Sequence, residues 1–432
     1  MVWIYFLIFV VLILLEMPIG TAMLLSSLLY VIQNGQSFVM FAQKTATSFA
    51  SYSLLAVPAF VFVGCAMNEI GFSDRIFGLA EKAIGHIPGG LGHANVLASM
   101  IFAGMSGSAM AYGGGIVAIE IKAMNEAGYD KGFSVAITAA SSGIGPIIPP
   151  SINLVIWGFL ASTGTVELFM AGVLPGILMG LCLMVYIYIA VTKFHVKAPI
   201  TPKAPFKDFL HALWRGLPAL SINGILAAGV CFAILLGGIS TGVFTSTETG
   251  AVACAYIILL GFCYRRLNFA KIMKILKETM STTALTMWLC ATGSVFNWMI
   301  INSGITKTLS DLLLSLNNEI IVLLLLNLLL LFLGCFMGSL PVLIMMAPVL
   351  LNVADAFSMS YITMGVMAVL NLTIGGITPP MAPSLFVSAK VADLPFEKTL
   401  KHIYPMLVPL VVALLMVTFI KPLTLFLPGL LL

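Results

Sequence analysis

Long apolar runs, separated by short polar stretches, dominate the chain. Set against the roughly 20 residues a helix needs to cross a hydrocarbon core, they predict membrane spans over 2–31, 46–66, 168–192, 217–238, 243–263, 281–301 and 403–427. The first run contains Glu16 and Pro18 and is too long for a signal-peptide core, so it reads as a retained span. Four other apolar segments do not fit the template. Residues 91–121 and 320–352 carry glycine-rich breakers at their centres, A-G-M-S-G-S-A-M from Ala103 and G-C-F-M-G-S-L-P from Gly334. Each is long enough for two half-helices, which predicts a re-entrant hairpin with its tip inside the membrane.

The remaining two segments, 131–160 and 360–390, predict broken helices. The first holds S-S-G-I-G-P-I-I-P-P-S at Ser141 to Ser151 and the second G-G-I-T-P-P-M-A-P-S at Gly375 to Ser384. Each proline removes a backbone donor and clashes with the preceding turn. Backbone broken in this way is tolerated in hydrocarbon only where protein or a polar cavity satisfies it, so both breaks are site candidates.

The order of elements repeats: span, span, amphipathic connector, hairpin, broken helix, span. The connectors are 68–87 and 302–319, where charged and apolar residues alternate at helical spacing. The reading is an all-α polytopic membrane protein of two inverted repeats, 1–192 and 243–432, joined by 193–242, a basic loop and an extra span that inverts the second repeat. Paired breaks at matching places in two halves are the pattern of a secondary transporter with its site near the midplane.

Composition narrows the class. The 432 residues are 60% hydrophobic and 8% charged, with mean hydropathy +1.11, which excludes an ordinary soluble domain. Membrane lipid is therefore the surrounding partner. The net charge of +4 resides in scattered loop lysines and arginines with no basic face, which argues against a nucleic-acid partner. With the N-terminus cytoplasmic, every Lys and Arg except Lys44, Lys307 and Lys421 falls on the cytoplasmic side, and the C-terminus faces the periplasm. The seven cysteines stand singly, without metal or redox spacing.

The chemistry should lie where each hairpin tip meets the following break. The first meeting joins Ser106, Gly107 and Ser108 to Gly143, Gly145, Pro146 and Ile148; the second joins Gly334, Met337 and Gly338 to Gly375, Gly376, Thr378 and Met381. Unwound backbone offers carbonyl oxygens to a hard cation such as Na⁺. Ser106, Ser108, Ser141, Ser142 and Thr378 add hydroxyls, half-helix N-termini offer N–H groups to an anionic substrate, and Ser108, Ser141, Ser142, Ser151 and Ser339 are the residues expected to bind it. Glu16, Glu167, Glu248 and Asp355 are further candidates as acidic groups near apolar spans. No catalytic constellation and no nucleotide-binding motif is present, so an ion gradient is the expected energy source and an enzyme is not expected.

Several of these motifs together resemble the large membrane (M) subunit of tripartite ATP-independent periplasmic (TRAP) transporters, in the ion transporter superfamily. They are A-G-M-S-G-S at Ala103, G-P-I-I-P-P-S at Gly145, G-V-F-T-S-T-E at Gly242, G-G-I-T-P-P at Gly375 and K-P-L-T-L-F-L-P at Lys421. The resemblance covers essentially the whole chain. It implies an elevator mechanism that imports a small organic acid (dicarboxylate, keto acid or sugar acid) with Na⁺ across the bacterial inner membrane. It further implies a small four-helix membrane (Q) subunit and a periplasmic substrate-binding (P) subunit as partners. One sodium site would use Ser106, Gly107, Gly145 and Ile148, and a second Gly334, Gly338, Gly375, Thr378 and Met381. Two departures stand out: Gly338 where many relatives carry an acidic residue, and Ser246 where proline is common. A stand-alone Na⁺- or H⁺-coupled organic anion carrier of the same superfamily is the alternative.

Overall fold

The computed structural model describes residues 3–106, 116–199, 245–263, 265–316 and 318–431, all-helical with no strand among them. The expected span at 217–238 and most of the basic loop lie outside these residues, as do Gly107, Ser108 and the stretch Gly242 to Phe244.

The N-terminal run is not one span. It forms α1 (Trp3–Leu14) and α2 (Ile19–Gln33), because Pro18 lacks an N–H to continue the ladder and Glu16 takes a left-handed conformation, φ 61°. The two helices fold back on each other. Tyr5 donates its hydroxyl to Gln33 Oε1 at 2.8 Å and packs edge-on against Tyr30. The expected span at 46–66 is likewise divided. α3 (Phe38–Phe49) ends before a 3₁₀ turn at Tyr52–Leu55, and α4 (Ala56–Glu69) follows.

The amphipathic connector forms α5 (Phe72–Ile84). The first hairpin segment contributes α6 (Gly90–Ser106) and α7 (Ile116–Glu126) on either side of its undescribed centre. The first broken helix is α8 (Lys131–Ser142) and α9 (Ile152–Ala161), with Pro149–Pro150 cis between them. Asp130 caps α8 by accepting from Phe133 N at 2.9 Å, and Ser151 caps α9 by accepting from Leu154 N at 3.2 Å. The long α10 (Thr165–Thr192) completes this half.

The second half begins with α11 (Ser246–Cys263) and α12 (Phe269–Asn302). At 34 residues α12 is longer than expected, its start being an amphipathic stretch that carries Lys271, Lys274 and Lys277. Lys274 pairs with Glu69, so the basic start of α12 lies beside the end of α4. Gly20 packs on Trp288 and Tyr30 on Trp298, so α2 runs parallel to α12. The Trp3 end of α1 therefore lies on the side away from those lysines.

The connector α13 (Ile305–Leu314) leads to α14 (Glu319–Met337) and α15 (Ser339–Ala356), separated by Gly338 alone at φ 74°. That left-handed conformation is what glycine supplies at no steric cost. The second broken helix is α16 (Tyr361–Gly375) and α17 (Pro383–Val391), with Pro379–Pro380 cis. The last expected span, 403–427, is instead α18 (Glu397–Phe419) followed by α19 (Pro422–Leu431), divided before Pro422.

α8 and α16 are buried along nearly their whole length, whereas α10 and α14 expose large apolar residues such as Leu181, Val185, Leu328 and Phe332. A helix that is apolar all round belongs in the centre, and an exposed apolar face belongs in lipid. α8, α9 and α16 of the broken helices therefore lie in the core, and the long spans face the membrane.

Candidate substrate and ion site

Glycines let the elements around the breaks close up. A Cβ on Gly375 would stand 2.8 Å from Gly334 Cα, so α14 and α16 touch backbone to backbone. On the other side, Gly176 of α10 leaves just enough room for the Ile148 side chain.

Between the breaks lies a cavity of about 340 Å³. Three helices begin on its wall: α9 with Ile152 and Asn153, α15 with Ser339 and Leu340, and α17 with Pro383 and Ser384. Three helices also end there: α8 before Gly143, α14 at Met337, and α16 around Thr373 and Gly376. Helix starts present unpaired N–H groups and positive dipole ends, and helix ends present unpaired carbonyls. The cavity thus offers anion-binding and cation-binding backbone side by side. Among the described residues, none that lines it is charged. Its remaining wall is α12, through Thr282, Leu285, Thr286 and Leu289.

The two halves meet across this cavity, where Asn153 Nδ2 donates to Ser339 Oγ at 3.1 Å. Asn153 is 4% exposed. Of the residues expected to touch substrate, Ser339 lines the cavity, whereas Ser141, Ser142 and Ser151 do not. Ser141 Oγ donates to Asn95 Oδ1 at 2.7 Å, Ser142 Oγ to Ala139 O at 2.7 Å, and Ser151 Oγ to Pro146 O while capping α9. All three are buried, with their hydroxyls holding the break together. Ser108 lies outside the described residues.

Of the residues expected to bind Na⁺, Gly338 lines the cavity. Gly334, Gly375 and Thr378 gather behind it, where the ends of α14 and α16 converge. Thr378 Oγ1 donates to Ile374 O at 2.7 Å, which leaves its lone pairs available. Met381 is exposed. Gly145 and Ile148 sit in the turn after α8, Gly145 N donating to Ser142 O at 3.2 Å and Ile148 N to Ile144 O at 3.2 Å. Ser106 ends α6, and Gly107 lies outside the described residues.

Of the acidic candidates, Glu16 forms the turn between α1 and α2, Glu167 lies in the first turn of α10 against Gly164, Glu248 accepts from Thr245 N at 2.7 Å, and Asp355 accepts from Tyr361 OH at 2.5 Å. The carboxylate that is fully buried among the described residues is Glu120 of α7, which the sequence reading passed over.

Sequence reasoning also missed Asn153, Ser384 and the α12 threonines. Asn153 and Ser384 had a signal, each being a polar residue just past a Pro-Pro pair. It missed a buried link as well: Asn371 of α16 donates to Asn327 Oδ1 of α14 at 2.8 Å, and Asn327 donates to Thr418 of α18 at 3.2 Å. An asparagine inside an unbroken leucine run was the available sign.

Apolar helices long enough to cross a bilayer, packed around two broken helices and a central polar-ended cavity, define a multi-pass membrane transporter. The chain belongs to the DctM component family of tripartite ATP-independent periplasmic transporters, whose model matches residues 6–423. It is 40% identical over 418 residues to the sialic acid TRAP transporter large permease protein SiaM of Vibrio cholerae, covering 96% of this chain and 95% of that protein. It is 34% identical over 411 residues to the 2,3-diketo-L-gulonate large permease protein YiaN of Escherichia coli, covering 94% of each. Its fold is similar to the YdaH transporter of Alcanivorax borkumensis (TM-score 0.59, 16% identity, 88% of each chain). It also resembles MtrF of Neisseria gonorrhoeae (TM-score 0.63, 10% identity, 88% of this chain and 84% of that one). These relatives are transporters, not enzymes.

Proposed function

We propose that the chain imports a hydroxylated organic acid together with Na⁺, as the large permease subunit of a three-part transporter in the bacterial inner membrane. The observation that carries this is the cavity on which three helix starts and three helix ends converge. The helix starts suit a carboxylate without any basic side chain. The amide of Asn153 and the hydroxyls of Ser339, Thr282, Thr286 and Ser384 suit neutral polar groups on its body. The likeness to permeases for sialic acid and diketogulonate supports a sugar acid as the substrate.

Two sodium ions accompany the acid. One is held by the carbonyls and hydroxyl of Ser106, Gly107, Gly145 and Ile148, the other by Gly334, Gly338, Gly375, Thr378 and Met381. The approach of Gly334 to Gly375 supports the second site, because it brings two carbonyl-bearing helix ends together.

The matching Pro-Pro breaks, 230 positions apart, support two inverted repeats, 1–192 and 243–432, around the linker 193–242. The hairpins and broken helices then move as one elevator past a scaffold that includes α12. With the basic segments cytoplasmic, the fold-back of α1 on α2 supports an N-terminus on the periplasmic side. This revises the expected cytoplasmic N-terminus, which rested on a single crossing over 2–31. The C-terminus remains periplasmic. The partners are a small Q subunit and a periplasmic binding protein.

The test is uptake of radiolabelled N-acetylneuraminate, 2,3-diketogulonate, succinate and isethionate into vesicles holding the chain, with the two partners added or withheld, under an inward Na⁺ gradient. Uptake of a sugar acid only with all components and Na⁺ is expected. Uptake by the chain alone would point to a stand-alone carrier.

A further inference from the structure

On α12 the cavity wall continues as a stripe that does not end at the cavity. Thr282, Thr286 and Leu289 line it, and on the same face follow Gly293 and Asn297, at helical spacings of three and four. Gly293 receives the Ile344 side chain of α15, with its Cβ position 3.3 Å from Ile344 Cβ. α12 and α15 therefore run side by side in the same direction, Leu340 at the level of Leu289 and Ile344 at the level of Gly293. Two turns beyond the cavity, Asn297 is 8% exposed and its Oδ1 has no hydrogen-bond partner. A buried amide oxygen left without a donor is destabilising.

We propose that Asn297 becomes a polar wall residue of the substrate cavity in the second transport state, reached when the Gly338 tip slides along α12. This rests on the elevator reading above. Leu289 and Asn297 are eight residues apart, so a displacement of about 12 Å along the helix brings the cavity to Asn297. There, Asn297 Oδ1 accepts from a substrate hydroxyl or from water in the cavity, the partner it lacks now. Gly293 keeps the track smooth at the point where α15 passes closest. Asn297 thus favours the second state at the expense of the first.

The test uses the full chain in native membranes with its seven cysteines replaced. The pair Gly293→Cys/Ile344→Cys reports the present state by disulfide formation, the cysteine side chain being smaller than the isoleucine it replaces and so relieving the tight contact. The pair Leu340→Cys/Ile300→Cys, joined by a short bifunctional maleimide, reports the displaced state, since Ile300 lies one turn past Asn297. Both are expected to form. Adding Asn297→Leu to each should raise the first cross-link and lower the second about fivefold, the equivalent of one lost hydrogen bond, and Asn297→Ser should restore part of the balance. If both cross-links form but Asn297→Leu shifts neither, the role of Asn297 is overturned and the elevator stands. If the first forms and the second never does, the movement and this inference fall together.

Discussion

Asn153 and Ser339, 186 positions apart, share a hydrogen bond of 3.1 Å that joins the start of α9 to the tip between α14 and α15. It is the point at which the first break and the second hairpin meet on the cavity wall. Both groups must exchange this bond for substrate contacts or hold it while substrate binds beside them.

Asn153→Leu should therefore raise the substrate KM, by roughly fivefold for one lost hydrogen bond, while the protein stays folded. Initial uptake rates against substrate concentration measure this. A KM equal to that of the parent would remove Asn153 from the binding wall.

Thr378 supplies an oxygen where α14 and α16 end together, and its own hydroxyl proton is already given to Ile374 O. Thr378→Val keeps the shape and removes that oxygen. The Na⁺ concentration for half-maximal uptake should rise about tenfold or more, since a lost contact to a charge costs roughly 1.5–3 kcal/mol. An unchanged Na⁺ dependence would take Thr378 out of the ion site.

Gly375 has no space for a side chain, because its Cβ would stand 2.8 Å from Gly334 Cα. Gly375→Val should destabilise the protein by about 1–3 kcal/mol through overpacking, seen as a lowered melting temperature in detergent. Gly376→Ala is the control: its Cβ would meet Thr373 O at an ordinary 3.5 Å, and its melting temperature should stay near that of the parent.

Asn371→Leu leaves Asn327 Oδ1 buried without its donor. A loss of about 1–3 kcal/mol follows, and the double variant Asn327→Leu/Asn371→Leu should recover much of it, because replacing both partners removes the unpaired group. Thermal unfolding of the single and double variants decides; equal losses would show that the two asparagines do not act as a pair. Thr418 survives either change because it also donates to Leu414 O at 2.8 Å.

The two broken helices were legible because proline acts locally: Pro149–Pro150 and Pro379–Pro380 interrupt the backbone ladder wherever the segment sits. The amphipathic connectors α5 and α13 were legible for the same kind of reason, a period of charge and hydrophobicity that only a surface helix satisfies. Reading apolar runs as spans failed at 2–31, where length and hydropathy suit one crossing and the turn at Glu16–Pro18 folds the chain back on itself. It failed again at 403–427, where Lys421 and Pro422 separate two helices. Hydropathy measures transfer into lipid and says nothing of direction within it.

By itself the sequence determined that the chain lives in a membrane, that its helices break at two matching places, and that small and polar residues crowd those breaks, all of which follow from composition and backbone chemistry along the chain. Only the tertiary structure decided which groups face the cavity. Ser141, Ser142 and Ser151 were expected to reach substrate and turn inward to hold the break, whereas Asn153 and the threonines of α12 line the wall. A hydroxyl beside a broken backbone has two competing partners, its own carbonyls and the open site. Which one it takes depends on the elements packed around it, here α6, whose Asn95 accepts from Ser141, and α15, packed against α9, both brought there by the fold from elsewhere in the chain.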